Sequence, residues 1–199
     1  MTMWDTPVLE AGFARLEPLR HEHAPSLADA VRVGELWRTW YTAIPAPDAM
    51  EAEIDRRLTL QQQHRMAPWA IIDAESGRAV GMTTYMNLSP EHSRLEIGST
   101  WLGREAHGTG LNPAAKFALL SRAFESLGCI AVEFRTHWHN HQSREAIARL
   151  GAKQDGVLRS HQIMADGTVR DTVVFSILDN EWPSVRAGLI ARIRKHQPS

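Results

Sequence analysis

The apolar positions along the chain switch between a two-residue and a helical repeat, and the switches mark its elements. In FARLEPLR the alternation through Ala14, Leu16 and Pro18 predicts a first strand, and PSLADAVRV predicts a helix after it. A second helix is expected near Asp48, which forms a capping box with Glu51 and is followed by the apolar pair Ile54 and Leu58. WAIIDAESGRAVGMTTYMNL reads as two strands joined by a tight turn at Ser76-Gly77, and RLEIGSTWL, residues 94–102, as another. The strongest helix runs from Asn112 to Leu127, with Phe117, Leu120, Phe124 and Leu127 on one face and Gly128 as terminator. A strand follows at 130–137. Next come a helix capped by Asn140 and stopped at Gly151, a hairpin turning at Asp166-Gly167, and an amphipathic helix over 181–196. Early helices, antiparallel strands and a strand-helix-strand-helix centre make this an α+β chain. With no linker or repeat to divide it, residues 1–199 are expected to form one domain.

Composition narrows the partners. Lys and Arg total 22 against 23 Asp and Glu, so no global field recruits nucleic acid or an anionic membrane. No apolar run approaches the roughly 20 residues that span a bilayer, and MTMWDTPVLEAGF has no signal-like core, so a cytoplasmic protein is expected. The single Cys129 fits a reducing compartment, and its place between Gly128 and the strand favours a buried structural thiol over a nucleophile.

The most informative stretch lies between the strand 94–102 and the long helix: GREAHGTGLNPAAK. Gly108 and Gly110 flank Thr109, and Asn112-Pro113 opens the helix. Glycines let main-chain N–H groups turn inward, and the helix start adds partial positive charge, so the loop forms an anion cradle suited to a phosphate or pyrophosphate. It is neither a Walker loop nor GxGxxG. A glycine-rich turn without a ligand is the plainer alternative.

A second cluster is RTHWHNHQS, with His137, His139 and His141 alternating. On a continued strand they would share a face as a three-nitrogen zinc site. Asn140 starts a helix there, the alternation fails, and no carboxylate or HExxH completes a ligand set. No metal is expected.

In EIGSTWLGREAHGTGLNPAAKFALLSRAFE and HNHQSREAIARLGAKQDGVLR the chain resembles the GNAT acetyltransferase superfamily, in its RimJ/RimL-like, ribosomal-protein-alanine acetyltransferase branch. The resemblance runs from the first strand to Leu178. It implies a mixed, mostly antiparallel central sheet flanked by helices. It also implies acetyl-coenzyme A as cosubstrate, its pyrophosphate held by main-chain N–H groups of a Gln/Arg-x-x-Gly-x-Gly/Ala loop. Here that loop is HGTGLN, so the binding residues would be His107, Gly108, Thr109, Gly110, Leu111 and Asn112, with His107 and Asn112 departing from the pattern. Asn140 and Ser143 match the positions near the pantetheine arm and thioester, and Leu102 the strand backbone beside it.

The implied activity is transfer of the acetyl group to a primary amine, by direct attack in a ternary complex. Glu96 matches the carboxylate that takes the proton, with a surface ion pair as its alternative role. Ser143 would protonate the leaving thiolate or merely cap the helix. Lys116 and Arg144 would meet the adenosine phosphates or be solvated charges. Trp37, Trp40 and Tyr41 would line the acceptor side or pack in the core. His137 and His139 would line the substrate mouth or be solvated. The acceptor is a protein N-terminus or a small-molecule amine, with no nucleic acid or membrane partner, and a homodimer is left open. A non-catalytic acyl-coenzyme A-binding module and a His-cluster metal hydrolase are the competing classes.

Overall fold

A computed structural model of the chain describes residues 2–196. The elements are β1 (Leu9–Ala11), β2 (Ala14–Pro18), α1 (Ala24–Arg32), α2 (Met50–Gln62), β3 (Met66–Asp73), β4 (Ala79–Ser89), β5 (Arg94–Leu102), α3 (Leu111–Ser121), β6 (Ala131–His137), α4 (His141–Leu150), β7 (Lys153–Ile163), β8 (Val169–Leu178) and α5 (Trp182–Arg194). The strands form one eight-stranded sheet in the order β1-β2-β3-β4-β5-β6-β8-β7. Every neighbouring pair is antiparallel except β5 and β6.

Alternation along the strands sends side chains to two cores. Leu16, Trp69, Tyr85, Leu95, Ile97, Val132 and Phe134 pack toward α3 and α5 with Leu119, Leu120 and Leu189. Ala70, Ile72, Met82 and Trp101 face the other way and bury Leu27 and Val31 of α1 and Ile54 of α2. Among the described residues no helix is long and apolar enough to cross a membrane.

The sequence-predicted elements are present, with three differences. Asp48 does not cap α2. It lies inside a 3-10 turn, Pro47–Ala49, and Ala49 occupies the cap position, with no side-chain hydrogen bond there. The long helix begins at Leu111 rather than Asn112, because Gly110, at φ 88°, serves as its N-cap. Its last turn, Arg122–Ser126, widens into a π-helix before Gly128. Finally, Phe117 and Phe124 are not its innermost residues. They are half-buried against the Trp182 ring of α5, while Ala114, Ala115, Leu119 and Leu120 face the sheet.

Candidate active site

The site begins where the sheet splits. β5 and β6 are in register only at Arg94↔Ala131, Leu95↔Val132 and Glu96↔Glu133. Beyond that point β5 continues to Leu102 beside β4, while β6 continues to His137 beside β8. A V-shaped gap with free backbone edges lies between them. The cause is local: β4 and β5 slip register between Met82 and Thr84, and Ser99 takes a left-handed φ of 47°. Such a bulge bends its strand and increases the twist.

Two buried cations hold the bulge. From α2, Arg57 donates to Thr84 Oγ1 at 2.8 Å, to the Ser99 carbonyl at 3.2 Å and to Glu53 Oε1 at 2.7 Å. From α3 on the opposite face, Lys116 donates to Thr100 Oγ1 at 2.7 Å and Thr83 Oγ1 at 3.3 Å. No carboxylate faces Lys116, and burial pulls its pKa down to about 7. Lys116 therefore is not a phosphate ligand or a solvated charge. Nothing in the sequence singles out Arg57, because a charged side chain in an amphipathic helix is ordinarily assigned to the surface.

At the wide end of the gap β5 leads through Gly103 to the loop 107–110 and the start of α3. Both loop glycines have positive φ, 78° at Gly108 and 88° at Gly110. They are not equivalent. A Cβ on Gly110 would lie 2.7 Å from Phe13 Cζ and 2.8 Å from His196 Cγ, whereas one on Gly108 would meet nothing within 4 Å. Gly110 is thus required by packing as well as by its φ, whereas at Gly108 the left-handed backbone favours glycine and the space beside the main chain is open. His107 Nε2 lies 3.0 Å from the Leu102 carbonyl oxygen and, carrying the ring proton, donates to it, which ties the loop back to β5. Thr109 Oγ1 donates to the Ala106 carbonyl at 2.8 Å and accepts from the Leu111 N–H at 3.4 Å. The N–H groups of Gly108, Thr109, Gly110 and Asn112 meet no acceptor among the described residues. At the positive end of an eleven-residue helix, these free donors suit an anion.

Glu96 stands at the base of the split, on the face away from α3, and is 5% exposed. Asn87 Nδ2 donates to its Oε2 at 2.6 Å, and Arg135 Nε lies 3.5 Å from the same oxygen. The other oxygen, Oε1, lies beside Gly98, where an added Cβ would approach it to 2.8 Å. Burial raises the carboxyl pKa, outweighing the opposing pull of Asn87 and Arg135. Glu96 is consequently a held carboxylate with one free oxygen and increased basicity. The cation beside Glu96 is Arg135, and Arg94, two residues before Glu96 on β5, pairs with Glu133.

On the β6 side, Asn140 caps α4 by accepting the Ser143 N–H at 3.0 Å. Ser143 is therefore the capped residue rather than the cap, and its hydroxyl is free for other partners. Arg144 stacks on the Trp138 ring at 4.3 Å and donates to the Trp138 carbonyl, so it is engaged rather than free for a phosphate. The three histidines do not converge: His137 ends β6, His139 lies in the turn, and His141 starts α4. Among the described residues no group of three or more His, Cys, Asp or Glu side chains is arranged to hold a metal ion. The WRTWY aromatics also separate. Trp37 packs on the core under α1 and α2, while Trp40 and Tyr41 reach across to His137.

The family model of the acetyltransferase (GNAT) domain aligns with residues 14–153, well over half of the chain. The chain belongs to the GNAT acetyltransferase family. It is 32% identical over 106 residues to YdaF of Bacillus subtilis (strain 168), which carries the name of a ribosomal N-acetyltransferase. That match covers 53% of this chain and 57% of YdaF, little more than half of each. A GCN5-related N-acetyltransferase from Brucella melitensis superposes with a TM-score of 0.85 at 27% identity, over 95% of this chain and 86% of its own. A structure described as an acetyltransferase from T. thermophilus gives a TM-score of 0.83 at 36% identity, over 96% of this chain and 99% of its own. The mixed, mostly antiparallel GNAT sheet expected from the sequence is the one observed.

Proposed function

We propose that this GNAT protein transfers the acetyl group of acetyl-coenzyme A to a primary amine by direct attack within a ternary complex. The observation that carries this reading is the gap between β5 and β6, with unpartnered loop amides at one end and the free Oε1 of Glu96 at the other. The residues fit the cosubstrate. The open approach to Gly108 and the unpartnered N–H groups of Gly108, Thr109, Gly110 and Asn112 would receive its pyrophosphate. The free edge of β5 near Leu102 and the turn at Asn140 would flank its arm. The cosubstrate supplies a thioester; the protein supplies placement and proton handling. Glu96 would accept the proton from the acceptor ammonium or, later, from the nitrogen that has formed the new C–N bond. As the C–S bond breaks, Ser143 Oγ would give its proton to sulfur and regain, through solvent, the proton that nitrogen lost to Glu96, leaving an amide and a free thiol. The name carried by YdaF supports a protein amine as acceptor.

Acetyl-coenzyme A turnover, read as released thiol across a panel of amino-terminal peptides and small amines, tests the reading. Release that depends on the amine is expected. Coenzyme binding without such release would leave a non-catalytic acyl-coenzyme A-binding module instead. Binding itself should appear as stabilisation of about 2.7 kcal/mol at 100 times the dissociation constant. Gly108→Val should fold with a penalty of roughly 1–2 kcal/mol for a side chain at positive φ and lose most of that ligand-dependent shift. An undiminished shift would move the pyrophosphate away from this loop.

A further inference from the structure

The end of β6 carries a hydrogen-bond donor that the fold leaves without a partner. His137 is 3% exposed, and its Nδ1 accepts the main-chain N–H of His139 at 3.0 Å. That bond requires a lone pair on Nδ1, so in the neutral ring the proton resides on Nε2. Burial, reinforced by Arg170 and His139, lowers the ring pKa and keeps it neutral at physiological pH. Nε2 is buried and makes no hydrogen bond among the described residues. Its neighbours are rings: Trp40 lies edge-on at 5.2 Å between centroids, His139 at 5.5 Å and Tyr41 at 6.3 Å. Aromatic surfaces give an N–H at most a weak contact. A buried donor left unmade is costly, so an acceptor is expected for it.

The placement of this donor is specific. On β6 the side chains of Glu133, Arg135 and His137 share one face of the sheet, and the carboxylate of Glu96 meets Arg135 there. Glu96 leans along the strands until Oε1 lies level with Gly98. From Arg135 to His137 is two residues, about 6.6 Å along a strand. Glu96 and His137 thus present an acceptor and a donor on one face of the sheet, in the order in which an amine and the carbonyl oxygen on the adjacent carbon would meet them. The ring of Trp40 beside it is 52% exposed and belongs to the irregular connection between α1 and α2.

We propose that His137 Nε2–H binds the carbonyl oxygen next to the acceptor amine, so that the site selects α-amino acyl groups over simple alkyl amines. The proposal rests on Glu96 facing the acceptor amine, as in the preceding reading. His137 acts in it as a specificity-determining residue and moves no proton.

The test uses two peptides: a tripeptide beginning with alanine, and its analogue in which a trans alkene replaces the first peptide bond. Each is titrated by calorimetry into the full-length protein saturated with coenzyme A, so the result does not need turnover. The native protein should bind the tripeptide roughly ten- to a hundredfold more tightly than the alkene, the usual penalty for leaving one buried donor unpaired. His137→Asn keeps an acceptor oxygen near the Nδ1 position for the His139 N–H but loses the Nε2 donor, and should abolish the preference. His137→Gln carries an amide N–H near the Nε2 position and should restore part of it. Equal affinity of the native protein for both peptides would overturn the proposal, as would binding of neither. An undiminished preference in a folded His137→Asn protein would also overturn it. If the preference holds but no amine is acetylated, it is the catalytic reading that fails, and the carbonyl-binding role stands.

Discussion

On the β5 side of the gap the strand is clamped from both faces, by Arg57 through Thr84 and the Ser99 carbonyl and by Lys116 through Thr83 and Thr100. On the β6 side the strand is paired with β8 in the plane of the sheet as far as His137↔Thr172, and beyond it the chain is held only by the contacts of a turn, among them Trp138 N–H on the Asp171 carbonyl, Asn140 on the Ser143 N–H and the aromatic edges around His137. One wall is a preorganised platform, and the other can adapt. A group that must meet a reacting atom within tenths of an ångström belongs on the first, and recognition of a variable acceptor on the second. Glu96, placed where the walls join and bound by Asn87, shares the rigidity of β5.

The two clamps also differ from each other. Arg57 is fully buried but is paired with Glu53, which offsets the cost of its burial, and a guanidinium stays charged in any case. Lys116 has only hydroxyls for company, and its pKa falls to about 7. One face of the bulge is thus held by a fixed charge and the other by an amine that titrates near neutrality.

The largest expected effect lies at the junction of the walls. Glu96→Gln should lower acetyl transfer by roughly 10²–10⁴-fold near neutral pH while coenzyme binding persists. The deficit should shrink at higher pH as the amine arrives already neutral. Full activity in the folded variant would remove Glu96 from proton transfer. Next is the rigid wall. Arg57→Met should cost roughly 2–3 kcal/mol of unfolding free energy in denaturant titration, since it leaves the buried Thr84 hydroxyl and the Ser99 carbonyl without their donor, while Glu53 keeps its pair with Arg56. A loss below about 1 kcal/mol would mean the bulge is not held from this face.

Lys116→Met should act in the opposite direction and with pH dependence. In the native chain Lys116 binds its proton less firmly when folded, near 7 against an ordinary 10.5. Between these values the unfolded state carries more protons, so the native protein gains stability as pH rises. The variant lacks this gain. It should be more stable than the native chain below pH 7, by on the order of 2 kcal/mol, with the advantage fading toward pH 10. A pH-independent difference between the two denaturation series would refute the buried titration. The smallest effect belongs to the adaptable wall, where Asn140→Ala should cost about 1 kcal/mol, the usual value of a helix cap. If it costs as much as Arg57→Met, the contrast between the walls fails.

Much of this framework was legible because local chemistry specifies it. β5 falls on Arg94–Leu102 as the apolar pattern indicates, Asn140 and Gly151 bound α4, and the chain reverses at the two predicted turns. The cradle was visible as a glycine-rich loop before a helix. The split was implied by the family resemblance but not by the local pattern, because it depends on a bulge at Ser99, where no glycine announces the left-handed backbone. Nor were the roles of Arg57 and Lys116, since local sequence does not show which polar groups will satisfy a buried cation. Asp48 misled for the reverse reason: its motif is locally sound, but the 3-10 turn begun at Pro47 displaces the helix start. His137 was legible as a strand-end histidine, but its donor state follows from the turn that brings the His139 N–H onto Nδ1.

The chain's one cysteine gives an unplanned convenience at the bench. Cys129 is 2% exposed, and burial lifts its thiol pKa to about 11, so the folded protein should be nearly silent to thiol-specific dyes. A chromogenic assay of released coenzyme would therefore run against little background from the enzyme. The same reagent, added without substrate, would label Cys129 only when the segment between α3 and β6 opens, and so would time that opening in the unmodified protein.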